Sequence, residues 1–196
     1  MHPFDPLAIP VHGRRLDRVM RVGRRWFPRS RGGSFPSSTD DAGAMLARSV
    51  SYEDVCFFLD EVCEFVRLAK RIYSRLVENG GSRPIGRGDG GKGRAFSSDG
   101  TWRVPCCDQI VINGRLVRGD SSTASRYEAM IRYLEACRQE PKSDLPAESW
   151  PYLESLLRWT DKRPFLTEQG FVGLGPADMT PGDTLAVLDG FNACYC

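Results

Sequence analysis

At 196 residues with 41% of them hydrophobic, the chain is long enough to bury the core of one domain, and a formal net charge of +2 excludes a molecule that is cationic throughout. No run approaches eighteen consecutive apolar residues, so no membrane-spanning helix is expected. Twenty glycines and thirteen prolines imply that part of the chain lies outside regular structure.

The charge is unevenly placed. Arg14, Arg15, Arg18, Arg21, Arg24, Arg25, Arg29 and Arg31 stand together with one acid, Asp17, whereas residues 95–196 carry ten basic residues against fourteen acidic ones. Only the N-terminal arm therefore makes a case for an anionic ligand. Pro3, Pro6 and Pro10 interrupt the start of the chain, which has no continuous apolar stretch of the kind a secretory signal needs. Seven cysteines, an odd number at irregular spacing, do not make a closed disulfide framework. Reduced thiols and a cytoplasmic location are expected.

Residues 1–50 read as a disordered basic arm rich in Arg, Gly, Ser and Pro. Within it Leu16, Val19, Met20, Trp26 and Phe27 form an apolar stripe between arginines, compatible with a surface-seeking helix or a mitochondrial presequence. Gly13, Gly23 and Pro28 weaken that helix. If the arm binds nucleic acid or an anionic membrane, Arg14, Arg15, Arg18, Arg21, Arg24 and Arg25 are the expected contacts.

Residues 51–79 predict a long amphipathic helix. Val55, Phe58, Leu59, Val62, Phe65, Val66, Ala69, Ile72, Tyr73, Leu76 and Val77 recur every three or four positions. Ser51 and Asp54 have the spacing of a capping box, and Gly80-Gly81 supplies the stop. A stripe this apolar requires a packing partner. Cys56 and Cys63, two turns apart, are expected at or near the core.

Residues 80–100 read as a glycine-rich linker. Its Gly86-x4-Gly91-Lys92 spacing approaches a phosphate-binding loop, but Gly93 stands where a Mg²⁺-holding hydroxyl is needed and no apolar strand precedes it. No nucleotide or other cofactor is expected.

From residue 101 the pattern becomes mixed. Trp102 and Val104 read as the lead-in to a strand, and Asn113-Gly114 between Gln109–Ile112 and Arg115–Val117 is a hairpin signal. Ser121 to Cys137 reads as a helix with Tyr127, Met130, Ile131 and Leu134 on one face. A shorter helix follows, with Ser149 as its cap, Pro151 in its first turn and Tyr152, Leu153, Leu156, Leu157 and Trp159 apolar. Residues 163–196 read as a turn-rich β ribbon. Its structural turns are Gly170, Gly173, Gly175, Pro176, Gly182, Asp183 and Gly190. A return strand is due after Gly190, and the chain ends six residues later.

The fold class expected is therefore α+β: a disordered basic N-terminal arm, a long amphipathic helix, a linker, and a small mixed helix and β-hairpin module over 101–196. Catalytic chemistry finds no foothold. His2 and His12 both lie in the arm, where no imidazole is rigidly placed for a triad or a zinc site. The adjacent Cys106 and Cys107 cannot readily chelate one tetrahedral metal, and only a fold-back of Cys194 and Cys196 would complete a four-sulfur set. No metal and no enzyme activity are expected.

One resemblance goes further. Phe165-Leu166-Thr167-Glu168-Gln169-Gly170-Phe171-Val172-Gly173-Leu174-Gly175-Pro176, followed by Gly182-Asp183 and the apolar run Leu185 to Leu188 with Gly190, resembles the C-terminal segment of fungal heterokaryon incompatibility (HET) domain proteins. Thr101-Trp102-Arg103 with Asp108, and the helix after Tyr127, resemble the looser pattern upstream of it. The family's signature tyrosine-x-x-leucine-serine-histidine-cysteine-tryptophan-glycine motif is absent, and Phe191 to Cys196 replaces its usual return strand. The resemblance implies a truncated, noncatalytic C-terminal module whose role in nonself recognition is protein interaction or regulation. Anion binding through the arm and a nonfunctional fragment are the alternatives.

Overall fold

The computed structural model describes residues 13–27, 51–78, 100–112, 114–139, 145–188 and 194–195. The glycine-rich linker, except Gly100, and most of the expected arm lie outside these residues, as do Pro28, the near-phosphate loop, Gly190, His2 and His12.

The α+β class holds. The long helix α1, Tyr52–Glu78, runs as its periodicity requires. Ser51 stands at its start, where its carbonyl accepts the Val55 N–H and its hydroxyl contacts the Glu53 carboxylate. Burial covers Val55, Cys56, Phe58, Leu59, Val62, Phe65, Val66 and Ala69, then fades towards the exposed Val77. One side of α1 meets helices. The single-turn helix α2 (Gly100–Arg103), α3 (Ser121–Gln139) and α4 (Trp150–Leu157) surround it with Trp102, Met130, Leu134, Tyr152, Leu153 and Leu156. The other side carries Phe65 and Ala69, which meet Leu166 of the sheet.

Two local expectations are corrected here. Trp102 belongs to α2, not to a strand, because its ring is buried in the helical core and its carbonyl accepts the Tyr152 hydroxyl proton at 2.7 Å. Ser149 does not cap α4 with its side chain. A 3-10 turn, Ala147–Ser149, runs straight into α4, so Ser149 is already helical (φ −86°, ψ −17°). Its hydroxyl is buried without a hydrogen-bond partner among the described residues. The carboxylate at the head of α3 behaves otherwise: Asp120 accepts the N–H groups of Ser122 and Thr123 and the Ser122 hydroxyl, and these bonds hold its carboxyl below the usual range.

The main correction concerns residues 13–27. Part of what reads as a disordered arm is strand β1, Gly13–Val22, at the centre of a five-stranded antiparallel sheet. The order is β5-β4-β1-β6-β7, with β4 at Lys162–Thr167, β5 at Val172–Pro176, β6 at Thr184–Leu188 and β7 at Cys194–Tyr195. The first half of β1 pairs with β6 (Arg15 with Ala186), and the second half pairs with β4 (Val22 with Phe165). Irregularities at Arg15/Asp17 and Val19/Arg21 bend it between the two hairpins. Val19 packs with Phe165, Met179 and Leu185, and Trp26 stacks on Phe58 of α1 at 4.6 Å. Asp17 is buried in the bend, where its carboxylate accepts the N–H groups of Arg18 (2.8 Å) and Gln169 (2.9 Å). The return strand due after Gly190 is present as β7, which pairs with β6.

The ribbon's glycines serve close packing. A Cβ on Gly175 would lie 2.6 Å from Met179 Sδ, and Met179 is buried and has nowhere to swing. We expect Gly175→Val to lower stability by about 1–3 kcal/mol through overpacking, read as a shift in the urea midpoint. Neither Gly173 nor Gly175 has positive φ; that role falls to Gly170 (φ +88°) and Gly182 (φ +103°). Gly182 turns the chain so that its N–H reaches the Val19 carbonyl at 2.8 Å, stitching the turn onto β1.

Candidate interaction surface

A cluster of charged and aromatic side chains lies where α2 meets a small separate hairpin. That hairpin joins β2, Gln109–Ile112, to β3, Arg115–Arg118, through the expected turn, with Gly114 at φ +73°. After α2 the backbone makes a tight reversal through Cys107 (φ 52°) and Asp108 (φ 58°), two consecutive non-glycine residues in the left-handed region. The reversal turns Asp108 back onto α2. Its carboxylate pairs with the Arg103 guanidinium and accepts from Arg118 Nε at 2.7 Å. Arg103 also donates to the Gly119 carbonyl at 3.0 Å and lies over the Trp102 ring at 4.1 Å. Gly119 must stay small, since a Cβ there would come within 2.8 Å of the Trp102 ring. Trp102, Arg103 and Asp108, the residues of the looser upstream pattern, are thus brought together as the clamp that fixes the hairpin to the helical core.

The thiols here are poor nucleophiles. Burial pushes Cys106 up to about 11 and Cys107 up to about 12, and the neighbouring Cys106 adds to the rise at Cys107. Cys106 Sγ donates to the Trp102 carbonyl at 3.2 Å, and its own carbonyl accepts from Trp159 Nε1 at 3.1 Å. Among the described residues no group of three His, Cys, Asp or Glu side chains is placed to hold a metal ion. The side chain of Cys194 and all of Cys196 lie outside the described set.

The arginines of the expected arm are largely committed within the fold. Arg18 Nε donates to the Gly182 carbonyl at 3.1 Å. Arg21 pairs with Glu64 at 2.9 Å and sits over the Phe65 ring. Arg24 covers the Phe57 ring at 4.2 Å, and its N–H donates to Glu61. Burial pushes the Glu61 carboxyl up, against the pull of that bond. Arg25 pairs with Asp161 and faces the Phe27 ring. Arg15 is exposed, and Arg14 is placed by its backbone alone, opposite Val187. Of the predicted turn residues, Gly170 lies between β4 and β5, Gly173, Gly175 and Pro176 lie within β5, and Gly182 and Asp183 precede β6. The Thr180 N–H and hydroxyl donate to the Asp183 carboxylate at 2.7 and 3.2 Å, and Asp183 O accepts from Val19 N at 2.8 Å. Gly173 packs on the Phe165 ring, and Pro176 ends β5 opposite Lys162.

Besides Met20 and Val77, two pairs of large apolar side chains stay exposed among the described residues. Phe27 and Phe57 flank a shallow hollow of about 130 Å³ beside Arg24. Leu116 and Val117 stand on β3, beside a groove of about 300 Å³ lined by Cys107, Asp108, Gln109 and Arg118. The second pair is the feature that sequence reading missed: a four-residue strand with every position exposed carries no alternation to mark an inner face. No helix among the described residues is long and apolar enough to cross a membrane.

Among curated proteins, the chain is 32% identical over 120 residues to Heterokaryon incompatibility protein 6, OR allele, of Neurospora crassa. The alignment covers 48% of this chain and 18% of that protein, so the chain spans less than a fifth of the relative it matches. No family model matches the chain. No solved structure matches it either.

Proposed function

We propose that this chain is a noncatalytic protein-interaction module of the heterokaryon incompatibility type, acting in the cytoplasm in fungal nonself recognition. The observation that carries the reading is the partial match to the Neurospora protein. It is supported by the motif residues themselves, since Trp102, Arg103, Asp108, Gly173 and Gly175 are spent on packing and clamping. What the module leaves outward is apolar surface at Phe27, Phe57, Leu116 and Val117, chemistry suited to another protein. An anionic ligand on the arginine arm has less support, because Arg18, Arg21, Arg24 and Arg25 already have partners within the chain.

The test is a chimera. The matching stretch of the Neurospora protein is deleted, then replaced by residues 13–188 of this chain, and heterokaryon formation is scored against an incompatible tester. The deletion is expected to abolish incompatibility and the replacement to restore it at least in part. A replacement that accumulates to normal levels and restores nothing would discard the module reading and favour a nonfunctional fragment.

A further inference from the structure

Among the described residues, the hairpin has one edge closed and one open. On β2, the Val111 N–H points away from β3 and donates to Ser155 Oγ of α4 at 3.0 Å, so helix α4 covers that side. β3 pairs with β2 alone among the described residues. Ile112 and Arg115 flank the two-residue turn, and Gly119 N donates to Asp108 O at 2.9 Å at the far end. Ladder alternation between these points turns the backbone N–H and C=O of Leu116 and Arg118 outward, away from β2. An exposed edge of this kind is a template for a further strand. The Asp108 clamp holds it rigid, which lowers the ordering cost of docking.

We propose that β3 is a docking edge for an extended segment of a partner protein, one with acidic residues flanking two apolar ones. The proposal rests on the protein-interaction reading for the nature of the ligand. Its specificity comes from the strand itself, Arg115-Leu116-Val117-Arg118. A partner strand laid along it meets the Arg115 guanidinium at one end, the largely exposed Arg118 guanidinium with its Asp108 partner at the other, and exposed aliphatic side chains between. Acidic residues opposite the arginines and β-branched residues opposite Leu116 and Val117 satisfy all four positions. A second copy fits this edge less well. Both copies turn Leu116 and Arg118 outward, so antiparallel registers centred on Leu116 or Val117 place no acid opposite either arginine, and one centred on Arg118 sets like charges together.

The probe is the peptide acetyl-Ser-Glu-Val-Val-Glu-Ser-amide, titrated to about 1 mM against the full chain with amide exchange and resonance shifts as readouts. Saturable binding with slowed exchange at Leu116 is expected, and the same peptide with lysines for the glutamates should not bind. Leu116→Pro removes only an outward N–H, so the hairpin should melt as before while affinity falls at least about tenfold. Arg115→Glu leaves one guanidinium and one carboxylate and should abolish the preference between the two peptides seen with the unaltered chain, and it decides the matter if the proline variant does not fold. Absence of saturation, equal binding of both peptides by the unaltered chain, or affinity unchanged by both variants overturns the docking edge. A chimera that restores incompatibility while the peptide fails to bind rejects the edge and leaves the module reading standing. Peptide binding with a failed chimera does the reverse.

Discussion

A chain lacking residues 1–27 is expected to lose its cooperative thermal transition. The segment 13–27 supplies the strand between two hairpins, so its removal leaves β4 and β6 each with an open edge. It also takes Val19 out of the cluster with Phe165, Met179 and Leu185. Trp26 goes with it, together with its stack on Phe58 and the Nε1 bond to the Leu156 carbonyl at 3.1 Å. Truncating one buried tryptophan costs about 3–5 kcal/mol, comparable to a large part of the 5–15 kcal/mol that holds a typical domain together. Circular dichroism during a thermal ramp would read the result. A truncated chain that melts at the original midpoint with the original steepness would show that the sheet stands without β1.

Asp108→Ala is expected to lower stability by about 2–4 kcal/mol. Alanine in the left-handed region costs about 1–2 kcal/mol, and hydrogen bonds to a charged group contribute about 1.5–3 kcal/mol. The second contribution falls mainly on Arg103, which is three-quarters buried (side-chain exposure 25%) and would lose its carboxylate partner. Arg118 is largely exposed and contributes little, because solvent screens it. Asp108→Asn keeps the backbone tolerance and removes the charge, so about half of the loss should remain. Urea titration of the three proteins measures this ladder. Equal midpoints for wild type and both variants would mean that the clamp holds nothing.

Both experiments probe features of different visibility in the sequence. The clamp was half visible: Trp102, Arg103 and Asp108 stood out through a family resemblance, but nothing in their spacing says that Asp108 turns back onto Arg103. That contact needs the reversal at Cys107 and Asp108, two positive-φ residues of types that give no glycine signal. The strand β1 was invisible for a related reason. Alternation identifies a strand, and two irregularities break it at Arg15/Asp17 and Val19/Arg21. Eight arginines within residues 14–31 then looked like a solvated tail. In the fold, the guanidinium groups of Arg21, Arg24 and Arg25 sit over the rings of Phe65, Phe57 and Phe27, so these arginines cover aromatic surface rather than extend into solvent.

By itself, the sequence determined what is decided within about one helical turn or one tight turn. The periodicity of α1, the hairpin at Gly114, the helices α3 and α4 and the glycine-marked turns of the ribbon all depend on residues at most four positions apart. Tertiary structure decided the rest. It placed β1 between β4 and β6, from the far end of the chain, and joined Asp17 to Gln169 across 152 positions. It also closed the free edge of β2 with Ser155 while leaving β3 without a further strand among the described residues. These outcomes depend on which surfaces meet after collapse, a choice set by the summed burial and hydrogen bonding of distant segments that no local pattern records.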